Sequence, residues 1–269
     1  MKPYLNDRDV HLYLGDATSV LAGLEDGCCD AIVTSPPYLD ARPEYPSPTP
    51  EEFGNIFREL RRVCTGAMLL NVGRLWRKRI ELLWWLELIE LAGAEGWPHR
   101  DTLIWIKQNA NPFQGELFTN SHEYVLCFGD GFDTDAVRTP YDEESLARMR
   151  RRFLSHAGVK HDVNIVDRSE MEHREINETG ARAKSFVVVP TGKEKGNEHP
   201  APMPLELAEY LVTLSGGRRI LDPFAGSGTT LLAARRLDRT AVGIELSQEY
   251  AEMAATRLAQ QTLPLGEEA

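Results

Sequence analysis

The chain has 269 residues, 42% hydrophobic and 26% charged, which suits one globular catalytic domain with an inserted lobe and excludes a disordered or fibrous chain. No run of about 18 apolar residues occurs, and the start MKPYLNDRDV lacks the basic-then-apolar layout of a signal peptide, so a cytoplasmic protein is expected. The formal net charge of −11 argues against a uniformly basic binder of polyanions and leaves that role to local clusters such as Arg74, Arg77, Lys78 and Arg79, or Arg148, Arg150, Arg151 and Arg152.

VHLYLGDA, a short helix-like stretch to Gly27, and CCDAIVTSPPY read as strand, helix and buried strand, the last stopped by Pro36 and Pro37. Four prolines between Pro43 and Pro50 mark a loop, after which EEFGNIFRELRRV has helical spacing and AMLLNVG reads as a buried strand. Leu75, Leu82, Leu83, Leu86 and Ile89 recur at helical spacing and predict a helix from Arg74 to Leu91, followed by strands over DTLIWIK and EYVLCF. From Gly129 to Lys184 the chain turns polar and Arg- and Glu-rich, so residues 129–184 are expected as an insertion between catalytic segments 1–128 and 185–269. Strand FVVVP, helix PLELAEYLVTLSG, strand and loop RRILDPFAGSG, helix TTLLAARRL, strand TAVGIEL and a last helix capped by Ser247 complete the series. Alternating strands and helices predict an α/β fold with a doubly wound, mostly parallel sheet. Cys28, Cys29, Cys64 and Cys127 show no Cys-x-x-Cys spacing, so reduced thiols are expected, with no metal and no disulfide framework.

Two segments carry chemistry. In Asp222-Pro223-Phe224-Ala225-Gly226-Ser227-Gly228-Thr229 a Gly-x-Gly turn joins a strand to a helix, where backbone must turn tightly and approach a ligand without a Cβ. Glu245 ends the next strand, near the roughly 20-residue interval at which an acid grips ribose hydroxyls. Together they describe a nucleoside-containing ligand. No Lys precedes Thr229, which excludes a P-loop, and the full Gly-x-Gly-x-x-Gly of a dinucleotide fold is missing.

Ser35-Pro36-Pro37-Tyr38 follows a buried strand, at the end of the sheet where α/β folds bind ligands. The Ser35 hydroxyl and Pro36 carbonyl form a rigid acceptor pair, and Tyr38 offers a face for stacking a base. Two acceptors answer the weak nucleophilicity of a base's exocyclic amine, because attack on a sulfonium methyl puts positive charge on that nitrogen. The chain contains no Pro-Cys dipeptide, which removes the thiolate expected for methylation at cytosine C5.

These residues resemble the amino-group (N4-cytosine and N6-adenine) DNA methyltransferases of bacteria and phages, in the permuted class whose catalytic motif precedes the cofactor loop. TSPPY resembles their catalytic motif and LDPFAGSGTT their cofactor motif; GDA around Asp16, IWIKQNANP, HEYVLCF and HPAPMPLELAEYL also match, over nearly the whole chain except the insertion. The resemblance implies a Rossmann-like methyltransferase fold, S-adenosyl-L-methionine as donor and a flipped base in double-stranded DNA. It places Asp222, Phe224, Gly226, Ser227, Gly228 and Thr229 around the methionine part of the donor, Glu245 at its ribose, Asp16 at its adenine, and His199 at the pocket's edge. Ser before Pro-Pro favours cytosine N4 over adenine N6. The insertion would be the target-recognition region, with Arg148, Arg150, Arg151 and Arg152 on phosphates or base edges. A homodimer and a cognate restriction endonuclease are the implied partners. RNA or protein methylation, whose enzymes usually place the glycine loop first, and an inactive DNA-binding relic are the alternatives.

Overall fold

The computed structural model describes residues 2–37, 48–110, 117–145, 147–148, 180–192 and 202–260. Met1–Asp133 together with Lys184–Ala269 make one compact unit, and Thr134–Ala183 a second. Within the second unit, Thr139 bridges Ala181 and Arg138 pairs with Asp135.

In chain order the first unit contains β1 (Leu5–Asn6), β2 (Val10–Leu14), α1 (Ala17–Leu21), β3 (Cys29–Thr34), α2 (Pro50–Val63), β4 (Cys64–Val72), β5 (Leu75–Arg77), β6 (Ile80–Leu82) and α3 (Trp84–Ala94). It continues with β7 (His99–Lys107), β8 (His122–Phe128), β9 (Phe186–Val189), α4 (Leu205–Leu214), β10 (Arg219–Asp222), α5 (Thr229–Arg236), β11 (Thr240–Glu245) and α6 (Gln248–Gln260). Among the described residues, nine strands form one sheet in the order β1-β2-β11-β10-β3-β4-β8-β7-β9. The run from β2 to β4 is parallel, whereas β8 is antiparallel to both its neighbours. Helices α1, α2 and α3 pack in one group and α4, α5 and α6 in another, as a sheet covered on both faces requires. This is the doubly wound, mostly parallel sheet expected from the sequence.

Local chemistry sets these elements. Thr49 Oγ1 accepts the Glu52 N–H at 3.2 Å and Glu52 returns a carboxylate to the Thr49 N–H at 2.7 Å, so α2 starts on a capping box with Pro50 in its first turn. Its apolar stripe, Phe53, Ile56, Phe57 and Leu60, is buried in a core shared with Ile32, Met68, Trp84, Trp97, Leu126 and Phe128. Each such side chain contributes about 1.5–3 kcal/mol on leaving water. The Ser247 hydroxyl accepts the Tyr250 N–H at the start of α6.

The expected helix from Arg74 to Leu91 is corrected by the structure. Residues 75–82 form a hairpin, and the helix runs only over Trp84–Ala94. Leu75 and Leu82, seven apart and therefore helical in spacing, are direct cross-strand partners. Lys78 and Arg79 turn the chain at φ of 50° and 68°, and Arg74 clasps Glu81 across the hairpin at 2.7 Å.

Strands β3 and β10 are hydrogen-bonded neighbours that send the chain in opposite directions, β3 through α2 to β4 and β10 through α5 to β11. Between such strands the sheet opens at its carboxyl edge, where open α/β sheets bind ligands.

Candidate active site

The carboxyl ends of β2, β3, β10 and β11 surround a cavity of about 630 Å³, inside the roughly 300–1,000 Å³ typical of small-molecule sites. Ser35, Pro36 and Pro37 line one side, and Asp222, Phe224, Gly226, Ser227, Thr229 and Glu245 line the other, with Asp16 at the end of β2. Tyr38, His199, Arg150, Arg151 and Arg152 lie outside the described residues; Arg148 is exposed.

Glu245 ends β11 with its carboxylate buried. Its Oε2 accepts the Gly226 N–H at 2.7 Å and its Oε1 the Ser247 N–H at 2.8 Å. The Leu246 N–H also bears on this carboxylate, whose roughly four lone-pair sites leave room for a further hydroxyl. Burial raises the Glu245 carboxyl above its ordinary range, the Ser247 and Gly226 N–H groups oppose that rise, and the Asp222 charge adds to it.

Asp222 is also buried at the tip of β10. Burial pushes its carboxyl up to about 6, while the Thr34 and Thr230 hydroxyls and the Phe224 N–H hold it down. The Thr34 hydroxyl at the end of β3 donates to Asp222 at 2.5 Å and ties the Ser-Pro-Pro turn to the glycine loop. A ligand carrying positive charge would draw both carboxyls back toward their ionised forms. Phe224, Ile244, Leu246 and Pro202 supply apolar walls.

Asp16 caps α1, its Oδ1 accepting the Ser19 N–H at 2.9 Å and the Ser19 hydroxyl at 3.1 Å. The cap engages Oδ1, and the residue borders the cavity. Capping and ligand contact are compatible here, because the carboxylate has two oxygens.

Gly228, expected around the donor, lies between two residues that line the cavity, Ser227 and Thr229. It does not border the cavity; it starts α5 at φ 77°, and a Cβ there would lie 2.9 Å from the Ala254 Cβ. Its lack of a side chain lets α5 and α6 approach. Gly226, at φ 52°, borders the cavity, as does Gly15 after β2.

Several participants escaped the sequence reading. Glu52, Asn55 and Ile56 of α2 line the cavity. Arg257 of α6 donates to the Ser227 carbonyl, to the Ser227 hydroxyl at 3.1 Å and to the Thr229 hydroxyl at 3.2 Å, bracing the glycine loop from behind. No motif marks it, because a single Arg on a helix reads as a solvated face. Ser35 donates its hydroxyl to the Asn71 carbonyl at 3.1 Å, and Asn71, inside the apolar run AMLLNVG, carried no signal either.

A mostly parallel α/β sheet with a glycine turn and a buried acid at its switch point is consistent with a Rossmann-like methyltransferase fold. A DNA methylase family model of the N6/N4 type matches residues 29–256, and the chain belongs to that family of DNA amino-group methyltransferases. The Type II methyltransferase M.SmaI of Serratia marcescens is 27% identical over 94% of this chain and 92% of its own length. M.Cfr9I of Citrobacter freundii is 28% identical over 92% and 87%. Among solved structures, PvuII DNA methyltransferase (cytosine-N4-specific) aligns with a TM-score of 0.69 at 18% identity, covering 98% of this chain and 91% of that one. A DNA modification methylase of Thermus thermophilus, complexed with S-adenosyl-L-methionine, aligns at 0.59 and 24%, covering 93% and 95%. These two structural likenesses speak to the fold.

Proposed function

We propose that this chain methylates the exocyclic N4 amine of cytosine in duplex DNA, by direct attack of a flipped base on the methyl group of S-adenosyl-L-methionine. When bound, the donor supplies an electrophilic methyl on a positively charged sulfur. The observation that carries the choice of cytosine is Ser35. In this position the family's Asp or Asn usually accompanies adenine, and Ser usually accompanies cytosine. Its hydroxyl gives its proton to the Asn71 carbonyl, so the oxygen presents lone pairs as an acceptor. With the Pro36 carbonyl it would hold the amine hydrogens and stabilise the charge that develops on nitrogen. The N–C bond would form as the donor's S–CH3 bond breaks and leaves S-adenosyl-L-homocysteine, the cationic amine would then lose one N–H proton to solvent, and no covalent enzyme intermediate is required.

Glu245 takes the donor's ribose hydroxyls, Asp16 its adenine amine, and Asp222, Phe224, Gly226, Ser227 and Thr229 its methionine part, with His199 closing the pocket. Tyr38 stacks on the extruded base. Residues 129–184 serve as the target-recognition region, with Arg148, Arg150, Arg151 and Arg152 on the DNA. M.SmaI and M.Cfr9I are Type II methyltransferases, so the enzymatic partner that fits is an endonuclease cutting the same sequence.

The test is expression in a bacterial host devoid of N4-methylcytosine, followed by mass spectrometry of its digested DNA. N4-methylcytosine that is absent with Ser35→Ala is the expected result. N6-methyladenine in its place would keep the mechanism and reverse the base.

A further inference from the structure

Behind the catalytic turn, three adjacent strands place a polar chain on one face of the sheet. Asn71 near the end of β4 is 2% exposed. Its Nδ2 donates to Glu123 Oε2 on β8 at 2.8 Å, and Glu123 Oε1 pairs with Lys107 Nζ at the end of β7 at 2.6 Å. The Lys107 and Glu123 side chains are 10% and 12% exposed, and the ammonium also lies 5.3 Å from the Trp105 ring centre. The antiparallel turn of β8 makes this possible: it brings the start of β8 to the edge where β3 and β4 end, with Asn71 opposite Val125 and Glu123 opposite Trp105.

A buried ion pair is a poor stabilising device, since desolvation offsets its Coulomb attraction and an apolar pair of similar volume serves the fold at least as well. Asn71 Oδ1 is moreover buried with no hydrogen-bond partner among the described residues, an exception it shares there with Trp85 Nε1 and Asn120 Oδ1, and an unmet polar atom of this kind works against stability. The first cost sits two hydrogen bonds from Ser35 and the second sits one.

We propose that the Lys107–Glu123 pair is a positioning device for Ser35, acting through Asn71. Glu123 fixes the Asn71 side-chain amide and Lys107 fixes Glu123, which anchors the end of β4, so that the Asn71 main-chain carbonyl is held where it accepts the Ser35 hydroxyl hydrogen and turns the hydroxyl's lone pairs to the amine. None of the three need touch the base or the donor. The inference rests on Ser35 being the catalytic acceptor proposed above. Misplacement of a reacting group by about 1 Å can cost a hundredfold in rate, so loss of the brace costs about tenfold in kcat and leaves donor affinity and KM for DNA within twofold.

A double-mutant cycle tests it, with purified full-length chains, kcat and KM on duplex DNA, and donor affinity by calorimetry. Glu123→Ala alone is expected to lower kcat about tenfold, but to have less than a twofold effect in the Ser35→Ala background, because the group it positions is gone. Lys107→Met/Glu123→Ala removes the cation that Glu123→Ala strands, and the same loss of kcat is expected. An equal loss in both Ser35 backgrounds, no loss at all, or recovery when Lys107 is also removed would overturn the inference, the last by tracing the effect to a stranded charge. Full turnover by Ser35→Ala would overturn the catalytic reading itself and the positioning role with it.

Discussion

The two sides of the cavity are built differently. On the β10–β11 side almost every polar group is already held by the protein: Glu245 by Gly226 and Ser247, Asp222 by Thr34 and Phe224, Ser227 and Thr229 by Arg257. On the β3 side a short turn stiffened by Pro36 and Pro37 presents one hydroxyl, oriented from behind by the Asn71 carbonyl. The first side is a preformed socket whose oxygens keep spare lone pairs, which suits tight binding of one donor. The second is a small set of acceptors whose value is realised when charge develops on an incoming nitrogen. Under the function proposed above, binding and chemistry are divided between adjacent strands, and substitutions on the two sides are expected to move different parameters.

The largest effect belongs to the turn. Ser35→Ala is expected to lower kcat about a hundredfold, the scale of removing one preorganised hydrogen-bonding group from a charge-stabilising site, with donor affinity unchanged by calorimetry. Equal losses in both would erase the division. Next comes Glu245→Ala, which removes a charged acceptor; with about 1.5–3 kcal/mol for such bonds, the donor dissociation constant should rise tenfold to a hundredfold. An unchanged constant would take Glu245 out of the ribose site.

A smaller effect is tied to pH. The Asp222 carboxyl lies at about 6 in the free protein and Glu245 is raised as well, both by burial. A cationic donor prefers the ionised forms, so protonation competes with binding and affinity falls on acidification. If binding requires ionised Asp222, the donor dissociation constant should rise about fourfold from pH 7.5 to 5.5, and Asp222→Asn should flatten that slope. A slope that survives in Asp222→Asn would assign it to Glu245. The smallest effect is purely structural: Gly228→Ala adds a Cβ at positive φ against Ala254, costing about 1–2 kcal/mol and lowering Tm by about 2–8 °C. Intact Tm with weakened donor binding would return Gly228 to the cofactor site.

The parts legible in the sequence are those where backbone geometry demands particular residues in a row. A Pro-Pro turn after a buried strand and a glycine turn before a helix announce themselves locally, and alternating periods revealed the doubly wound sheet. The hairpin at residues 75–82 did not, because cross-strand partners seven residues apart mimic two turns of helix. The packing of Gly228 against Ala254 of α6 was not legible either, because loop glycines serve close approach to any neighbour. Arg257 and Asn71 carried no signal, and Glu123 and Lys107 stood in matching segments without a visible partner, for a different reason: their contacts come from the register of distant segments. An antiparallel β8 inside a parallel sheet brings residue 123 beside residue 71, and no local pattern encodes that.

The most direct test incubates the purified protein with methyl-labelled S-adenosyl-L-methionine and mixed-sequence duplex DNA, beside RNA and protein substrates, and identifies the labelled product by mass spectrometry. Label on cytosine N4 in duplex DNA is the predicted result. Label confined to RNA or protein, or a bound donor with no label on any DNA nucleoside, would contradict it.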